Sequence, residues 1–369
     1  MVGAPERILL IRPSALGDVC RTASVLASLR RAFPSARIDW LVRDLFVDAV
    51  RAHPALTGVV AFPRDGLAGW WKPGGIAPAL RWLRRLAEPR YDLVLDCQGL
   101  ARSGIFTRAT RAPRRLGDRA AAEFASLAYT QRVRTDPATH VVDRALEIAR
   151  AAGAEPVPDA RLFVPRDVLA PDPGLAGARY AVFAPTSIWA GKCWPADRFA
   201  ALADRILSAG IVDRVAVVGA ERERDAAAPI TRRAGADPRI LDLVGRTTIA
   251  ELMRLIESAS LVAANDSAAT HMAVGFARPL VALLGPTDAA LAGPYHRLDA
   301  VVQRVTEDDR LTRRACKDAG YGASLMRRIT IDDAFAKAIE QVEPSERAGR
   351  ADPGDASRPS PPRVGTSRS

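Results

Sequence analysis

Cysteine is scarce in this chain and never clustered. The 369 residues hold four, Cys20, Cys97, Cys193 and Cys316, with no CxxC pair and no histidine nearby at metal-ligand spacing. That argues against both a disulfide framework and a zinc site. Long hydrophobic runs are also lacking. The first apolar stretch, Ile8-Leu9-Leu10-Ile11, is cut off by Arg12 and Pro13. It reads as neither signal peptide nor membrane span, and a cytoplasmic protein is expected. The turn after this stretch has no G-x-G-x-x-G, which argues against dinucleotide binding. No motif or aromatic platform for nucleic acid stands out, and there is no fixed-period repeat.

What is present points to two α/β domains. A hydrophobic content of 48% over this length can fill more than one core. The formal charge of +11 and pI near 10.2 would suit nucleic acid, an anionic membrane surface or a phosphorylated substrate, and biased base composition explains it equally well. Short apolar runs alternate with stretches of helical period, the pattern of βαβ units around a parallel sheet. Strands are expected at Arg7–Arg12, Ile38–Val42, Gly58–Phe62 and Leu93–Asp96, with helices near Val19–Ala32, Ala77–Ala87 and Val141–Ala152. The second half repeats the pattern, with strands at Tyr180–Ala184, Arg214–Val218, Leu261–Ala264 and Leu280–Leu284 and helices near Asp197–Ser208, Ile249–Ser258 and Ala268–Phe276. Between them, 164–178 carries three prolines and two glycines and reads as a linker. Residues 1–163 and 179–343 are then the two domains. From Pro344 to Ser369 the chain is too poor in apolar side chains to offset ordering entropy, and a disordered tail is expected.

Three segments carry chemistry, each at the carboxyl end of an expected strand, where open α/β sheets bind ligands. The first is Ser14-Ala15-Leu16-Gly17-Asp18, which turns into a helix. Asp18 is either a cleft carboxylate or simply an N-terminal cap. In the second, Thr186, Ser187 and Lys192 precede Trp194-Pro195 at a helix start. Hydroxyls and an ammonium gathered there suit a departing diphosphate, although a solvated lysine in an ordinary loop reads the same way. In the third, Asn265-Asp266-Ser267 leads into small residues, Ala268 and Ala269, then His271. The first N–H groups of that helix are open to an anion. Gly285-Pro286-Thr287-Asp288 lands on the same edge.

In order and spacing these segments resemble glycosyltransferase family 9, the bacterial heptosyltransferases, and within it the members that add the first heptose to lipopolysaccharide. The resemblance runs from Arg7 to Val342. It also rests on Asp96-Cys97-Gln98-Gly99-Leu100, Ser103-Gly104, Glu123 with Ala125-Ser126 and Tyr129, and Leu284-Gly285-Pro286-Thr287. It implies a GT-B fold: two Rossmann-like domains facing across a cleft, with the last helix, about Ile331–Val342, crossing back toward the first. It implies inverting transfer of heptose from ADP-heptose to the Kdo of Kdo-lipid A, with no metal and no cofactor. The chain accordingly has no D-x-D pair to hold a divalent ion.

By motif position Asp18 is the implied general base. Thr186, Ser187, Lys192, Asp266, Ser267, Ala268 and His271 hold the donor, with Glu221 or Glu223 on the ribose. Ser14, Gly17 and Gln98 lie on the acceptor side. Two positions depart from the family pattern: Ala268 replaces a glycine, and Ala122 replaces an arginine that helps hold the acidic acceptor.

Indole rings and cations also mix in Trp70-Trp71-Lys72-Pro73 and Arg81-Trp82-Leu83-Arg84-Arg85. With Arg64 they suit an anionic glycolipid at the inner leaflet; a packed Trp beside a solvated Arg face is the plainer reading. The expected protein is a monomer, peripheral on the cytoplasmic face of the inner membrane, without nucleic-acid partners. The alternatives are a transferase for another sugar or acceptor, and a catalytically weak relative that binds nucleotide sugar or glycolipid.

Overall fold

A computed structural model describes residues 3–66 and 75–349. The first half contains β1 (Arg7–Ile11), α1 (Leu16–Arg21), α2 (Ala23–Ala32), β2 (Arg37–Arg43), β3 (Gly58–Phe62), α3 (Ile76–Ala87), β4 (Leu93–Asp96), α4 (Ala101–Ala109), β5 (Arg114–Asp118), β6 (Gln131–Val133) and α5 (Val141–Ala152). The second contains β7 (Tyr180–Ala184), α6 (Ala196–Ser208), β8 (Arg214–Val217), α7 (Arg224–Ala234), β9 (Ile240–Asp242), α8 (Ile249–Ser258), β10 (Leu261–Asn265), α9 (Ala268–Gly275), β11 (Leu280–Leu284), α10 (Ala289–Ala292), β12 (Val301–Gln303), α11 (Arg313–Lys317), α12 (Ala319–Arg328) and α13 (Ile331–Gly349).

Each half forms one six-stranded parallel sheet. The orders are β3-β2-β1-β4-β5-β6 and β12-β11-β10-β7-β8-β9; read from its other edge, the second repeats the first. This is the doubly wound Rossmann order, and the two together make a GT-B fold. The central strands are apolar along their length because helices cover both faces: β7, β10 and β11 are buried at every position. The chain reverses direction of travel across the sheet between β1 and β4, and again between β7 and β10. A crevice opens at the carboxyl ends of such strand pairs. The pairs are in register there, Ile11 opposite Asp96 and Ala264 opposite Ala184, so the segments that follow all four strands meet at that edge.

The long first helix expected from Val19 to Ala32 is two. Thr22, between α1 and α2, donates its hydroxyl to the Asp18 carbonyl at 2.8 Å, a bond that competes with the regular ladder. The resemblance implied a last helix crossing back to the first domain. In α13, Ala334, Ala338 and Val342 are buried in the core of the second sheet, and the helix continues through Pro344 to Gly349.

Helix α8 shows how local sequence sets a boundary. Thr248 Oγ1 accepts from the Glu251 amide at 3.2 Å, and Glu251 Oε2 accepts from the Thr248 amide at 2.7 Å, a reciprocal capping box. Thr248→Ala is expected to cost about 1 kcal/mol. Urea unfolding would show this as a lower midpoint at unchanged slope.

Candidate active site

Asp18 sits in the first turn of α1 at the edge of the first sheet. Its carboxylate caps its own helix by accepting from the Ala15 amide at 3.3 Å. It also meets two guanidiniums: Arg12 Nη2 at 2.8 Å, and Arg21, one turn further along α1. Burial would raise its pKa, but the charges of Arg12 and Arg21 and their hydrogen bonds outweigh burial and hold it well below the usual carboxylate range. Asp18 thus both bonds the start of its own helix and lines a cavity at the sheet edge.

Arg12 also donates to the Cys97 carbonyl, and Arg21 to the Ala292 carbonyl of the second half at 2.9 Å. A cavity of about 270 Å³ opens beside this group, lined by Arg12, Asp18, Arg21, Gln98, Asp118 and Arg144 among others. Its floor is the Gln98-Gly99 turn, whose two amides donate to the buried Asp96 at 2.9 and 3.0 Å. Gly99 sits at φ +67°, where a side chain would be strained.

The second half meets this site directly. A methyl group at Gly17 would lie 2.8 Å from His271 Cδ2 and 3.5 Å from Ala268 Cα, so the start of α1 packs against the start of α9. Asp266, between β10 and α9, organises the facing groups. It pairs with Lys192 at 2.5 Å and accepts from Thr287 Oγ1 at 2.6 Å. Its backbone carbonyl accepts from Ser187 Oγ at 3.1 Å. Burial pushes the Asp266 carboxyl up, while Lys192, His271 and these bonds bring it below its ordinary value.

Thr186 donates to Glu223 at 2.8 Å. Lys192 lies 4.9 Å from the Trp189 ring, with Arg313 and Lys317 also over that ring. Two polar atoms here are buried without a partner among the described residues, Ser267 Oγ and His271 Nδ1. Ser267 N-caps α9 without using its side chain, leaving the first helical N–H groups for an anion.

The expected site residues thus fall into three groups. Asp18, Ser14, Gly17 and Gln98 gather in the first half, with the Ser14 amide bonded to Gln98 Oε1 at 3.2 Å. Thr186, Ser187, Lys192, Glu223, Asp266, Ser267, Ala268 and His271 gather in the second. Glu221 turns out to the surface and pairs with Arg224 at 3.0 Å. Arg64 is exposed beside Arg43 and Arg102. Arg84 and Arg85 lie exposed in the last turn of α3. That end of α3 adjoins the start of β1, since Arg7 donates to the Pro89 carbonyl at 2.9 Å. It is the edge away from Asp18. Trp82 packs against Phe62 and Phe106, the plainer of its two readings. Trp70, Trp71, Lys72 and Pro73 lie outside the described residues. Sequence reasoning missed Arg21, Arg144 and Asp118 in the cavity, and Trp189, Arg313 and Lys317 around Lys192. Each looks like an ordinary helix or loop residue until the sheet edge brings it in.

The profile of glycosyltransferase family 9 (heptosyltransferase) matches residues 79–321. The chain belongs to this family. As a family-9 glycosyltransferase it is 30% identical over 299 residues to lipopolysaccharide heptosyltransferase 1 of Pseudomonas aeruginosa, covering 79% of this chain and 82% of that one. It is 26% identical over 308 residues to lipopolysaccharide heptosyltransferase 1 of Escherichia coli K12, covering 82% and 95%. In fold it is similar to E. coli heptosyltransferase WaaC with ADP, with a TM-score of 0.70 at 24% identity over 91% of this chain and 99% of that chain. E. coli ADP-heptose heptosyltransferase II superposes with a TM-score of 0.72 at 19% identity, over 92% and 99%. None of the described helices in this glycosyltransferase is long and apolar enough to cross a membrane.

The buried imidazole gives a pH signature. Burial, and then repulsion from Arg21, hold the His271 pKa down at about 3, against the pull of Asp266 and Asp18. Below about pH 6.5 the unfolded chain takes up a proton that folded His271 refuses, so stability falls with pH by up to about 1.4 kcal/mol per unit. His53, held at about 4 by burial, adds its own share. Replacing His271 with Gln should therefore flatten the loss of stability between pH 7 and 5 by roughly one proton's worth, read from denaturant midpoints at each pH.

Proposed function

We propose that this family-9 enzyme transfers heptose from ADP-heptose to the Kdo of the lipopolysaccharide inner core, inverting the anomeric centre with Asp18 as general base and without a metal. The observation that carries this reading is the meeting of α1 and α9. The start of α1, which carries the Asp18 carboxylate, packs on the start of α9 so closely that Gly17 leaves no room for a methyl, and Lys192 and Ser187 gather around Asp266 just before α9. The names of the relatives supply the sugar, the nucleotide and the lipopolysaccharide.

The acceptor hydroxyl attacks the anomeric carbon from the Asp18 side and gives its proton to that carboxylate. The bond to the diphosphate breaks on the opposite face. Lys192, the hydroxyls of Thr186 and Ser187 and the open N–H groups of α9 take the charge that develops there, the work a divalent ion does elsewhere. Ser267 Oγ and His271 Nδ1, unpartnered in the folded protein, become donors or acceptors to the sugar and phosphates. Glu223 is the candidate for the ribose hydroxyls, because it is held among the loop residues by Thr186 and the Ala220 amide, whereas Glu221 lies on the surface.

A carboxylate held by two arginines is a weak base. The cavity that receives the acceptor is lined by those same arginines and Arg144. An acidic sugar entering it competes with Asp18 for them and returns basicity to the carboxylate when it is needed. The enzyme acts as a monomer at the cytoplasmic face of the inner membrane.

Incubation of the full chain with ADP-heptose and Kdo-lipid A in the presence of EDTA should release ADP and add one heptose mass to the acceptor. Asp18→Asn should lower kcat by roughly 10²- to 10⁴-fold, with ADP-heptose affinity little changed. Lys192→Ala should lower kcat by a comparable factor and also weaken donor binding. Binding of ADP-heptose with no transfer to any inner-core acceptor would leave a binding-only relative.

A further inference from the structure

The segment after Ala122 exposes more apolar surface than its length accounts for. Phe124 is 83% exposed and Leu127 70%, with Ile105 of α4 at 50% nearby. These side chains do not hang on a loose loop. Ala125, Ala128 and Tyr129 of the same segment form a small buried cluster, laid across α4 so closely that a methyl at Gly104 would come within 3.0 Å of Ala125 Cα. The backbone is fixed from three sides. Glu123 turns back to accept from the Ala101 amide at 3.1 Å, Arg115 donates to the Ala128 carbonyl at 2.8 Å, and Arg132 donates to the Ser126 carbonyl at 3.0 Å. Glu123 and Phe124 both take left-handed backbone, φ 53° and 62°, which non-glycine residues adopt only where the surroundings impose it. Phe124 and Leu127 are thus held out into solvent by a rigid support.

Cations flank this tip: Arg115 and Arg132 bond to its backbone, and Arg108 lies near Arg115. Arg108 and Arg132 are exposed, Arg115 is partly exposed, and Glu123, the only carboxylate from 122 to 132, is engaged with Ala101. The tip also adjoins the Asp18 cavity. Ala121 and Ala122 line that cavity, and the Ala122 amide donates to the carbonyl of Gly99 at its floor at 3.0 Å.

We propose that residues 123–127, with Arg108, Arg115 and Arg132 around them, form a bilayer-docking tip that inserts Phe124 and Leu127 into an anionic phospholipid surface. Rigid apolar side chains flanked by arginines match an acyl-chain layer beneath anionic headgroups. The choice of a bilayer as occupant rests on the reading of the acceptor as a lipid-anchored sugar. Docking by this tip brings the adjoining cavity to the membrane, so a headgroup sugar reaches Asp18 without its lipid leaving the leaflet.

The test is sedimentation of the full chain with vesicles of phosphatidylethanolamine and phosphatidylglycerol, and with pure phosphatidylcholine, with no substrate present. The native protein is expected to bind the anionic vesicles, more weakly as salt is added, and Phe124→Ser combined with Leu127→Ser to bind at least roughly tenfold more weakly. Thermal unfolding and ADP-heptose binding by the double variant should match the native protein. Equal vesicle binding by the double variant would overturn the proposal. So would a change in oligomeric state with vesicle binding intact, which would make the tip a contact between copies. Because the assay needs no turnover, a native protein that binds vesicles through the tip yet transfers no heptose would retire the functional reading and leave the docking surface standing.

Discussion

Two guanidiniums closing on one carboxylate set the terms for the rest of this site. Arg12 comes from the end of the first strand and Arg21 from one turn beyond Asp18, so the clamp is fixed by the first α/β unit alone. Arg21 then reaches the Ala292 carbonyl, which makes the same group part of the join between the two halves. His140 adds a second tie nearby. Its Nδ1 accepts from the Val142 amide at 3.1 Å, so its Nε2 carries the proton and donates to the Gly293 carbonyl at 3.2 Å. Anything that opens the cleft must part Arg21 and His140 from this one short stretch of backbone.

The opposing half is built on the same logic. There a carboxylate, Asp266, is the hub, and Lys192, Thr287 and Ser187 are arranged around it by the loops after β7, β10 and β11. An incoming diphosphate would compete with Asp266 for Lys192, as an acidic acceptor competes with Asp18 for Arg12 and Arg21. The two halves share a strand order and also an arrangement: cations parked on a protein carboxylate at the sheet edge. The parked state keeps buried charge paired, which burial alone would make costly.

The parallel core was legible in the chain because most of its strands are continuous apolar runs; β4, β7 and β11, and the edge strand β3, lie where the pattern puts them. The shorter or more polar strands were not. β5 reads Arg-Arg-Leu-Gly-Asp and β9 and β12 have three residues each, so none offers a run long enough to separate from a loop. α7 carries a proline and a single large apolar residue, Ile230, and hides for a related reason. At the site, motifs on strand ends were readable, since a parallel sheet sends those ends to one place. Arg144 was not, because what brings it to the cavity is the packing of α5 on the sheet, where its only visible sequence trait is one arginine on a helix. Glu221 and Glu223 read alike in the sequence, and the fold separates them: Arg224 holds the former at the surface, and Thr186 bonds to the latter. The basic stretch at Arg84-Arg85 suggested the acceptor by composition, and the direction of α3 carries it to the other edge.

The central claim is that Asp18 serves as base and that the clamp governs how readily it does so. The most direct measurement is the acid limb of the kcat/KM pH profile for heptose transfer, native protein against Arg21→Gln. Loss of one of two guanidiniums should move the Asp18 pKa up, so the acid limb of the variant should fall away at higher pH than that of the native enzyme. An acid limb at the same pH in both proteins would contradict the claim and place the base elsewhere.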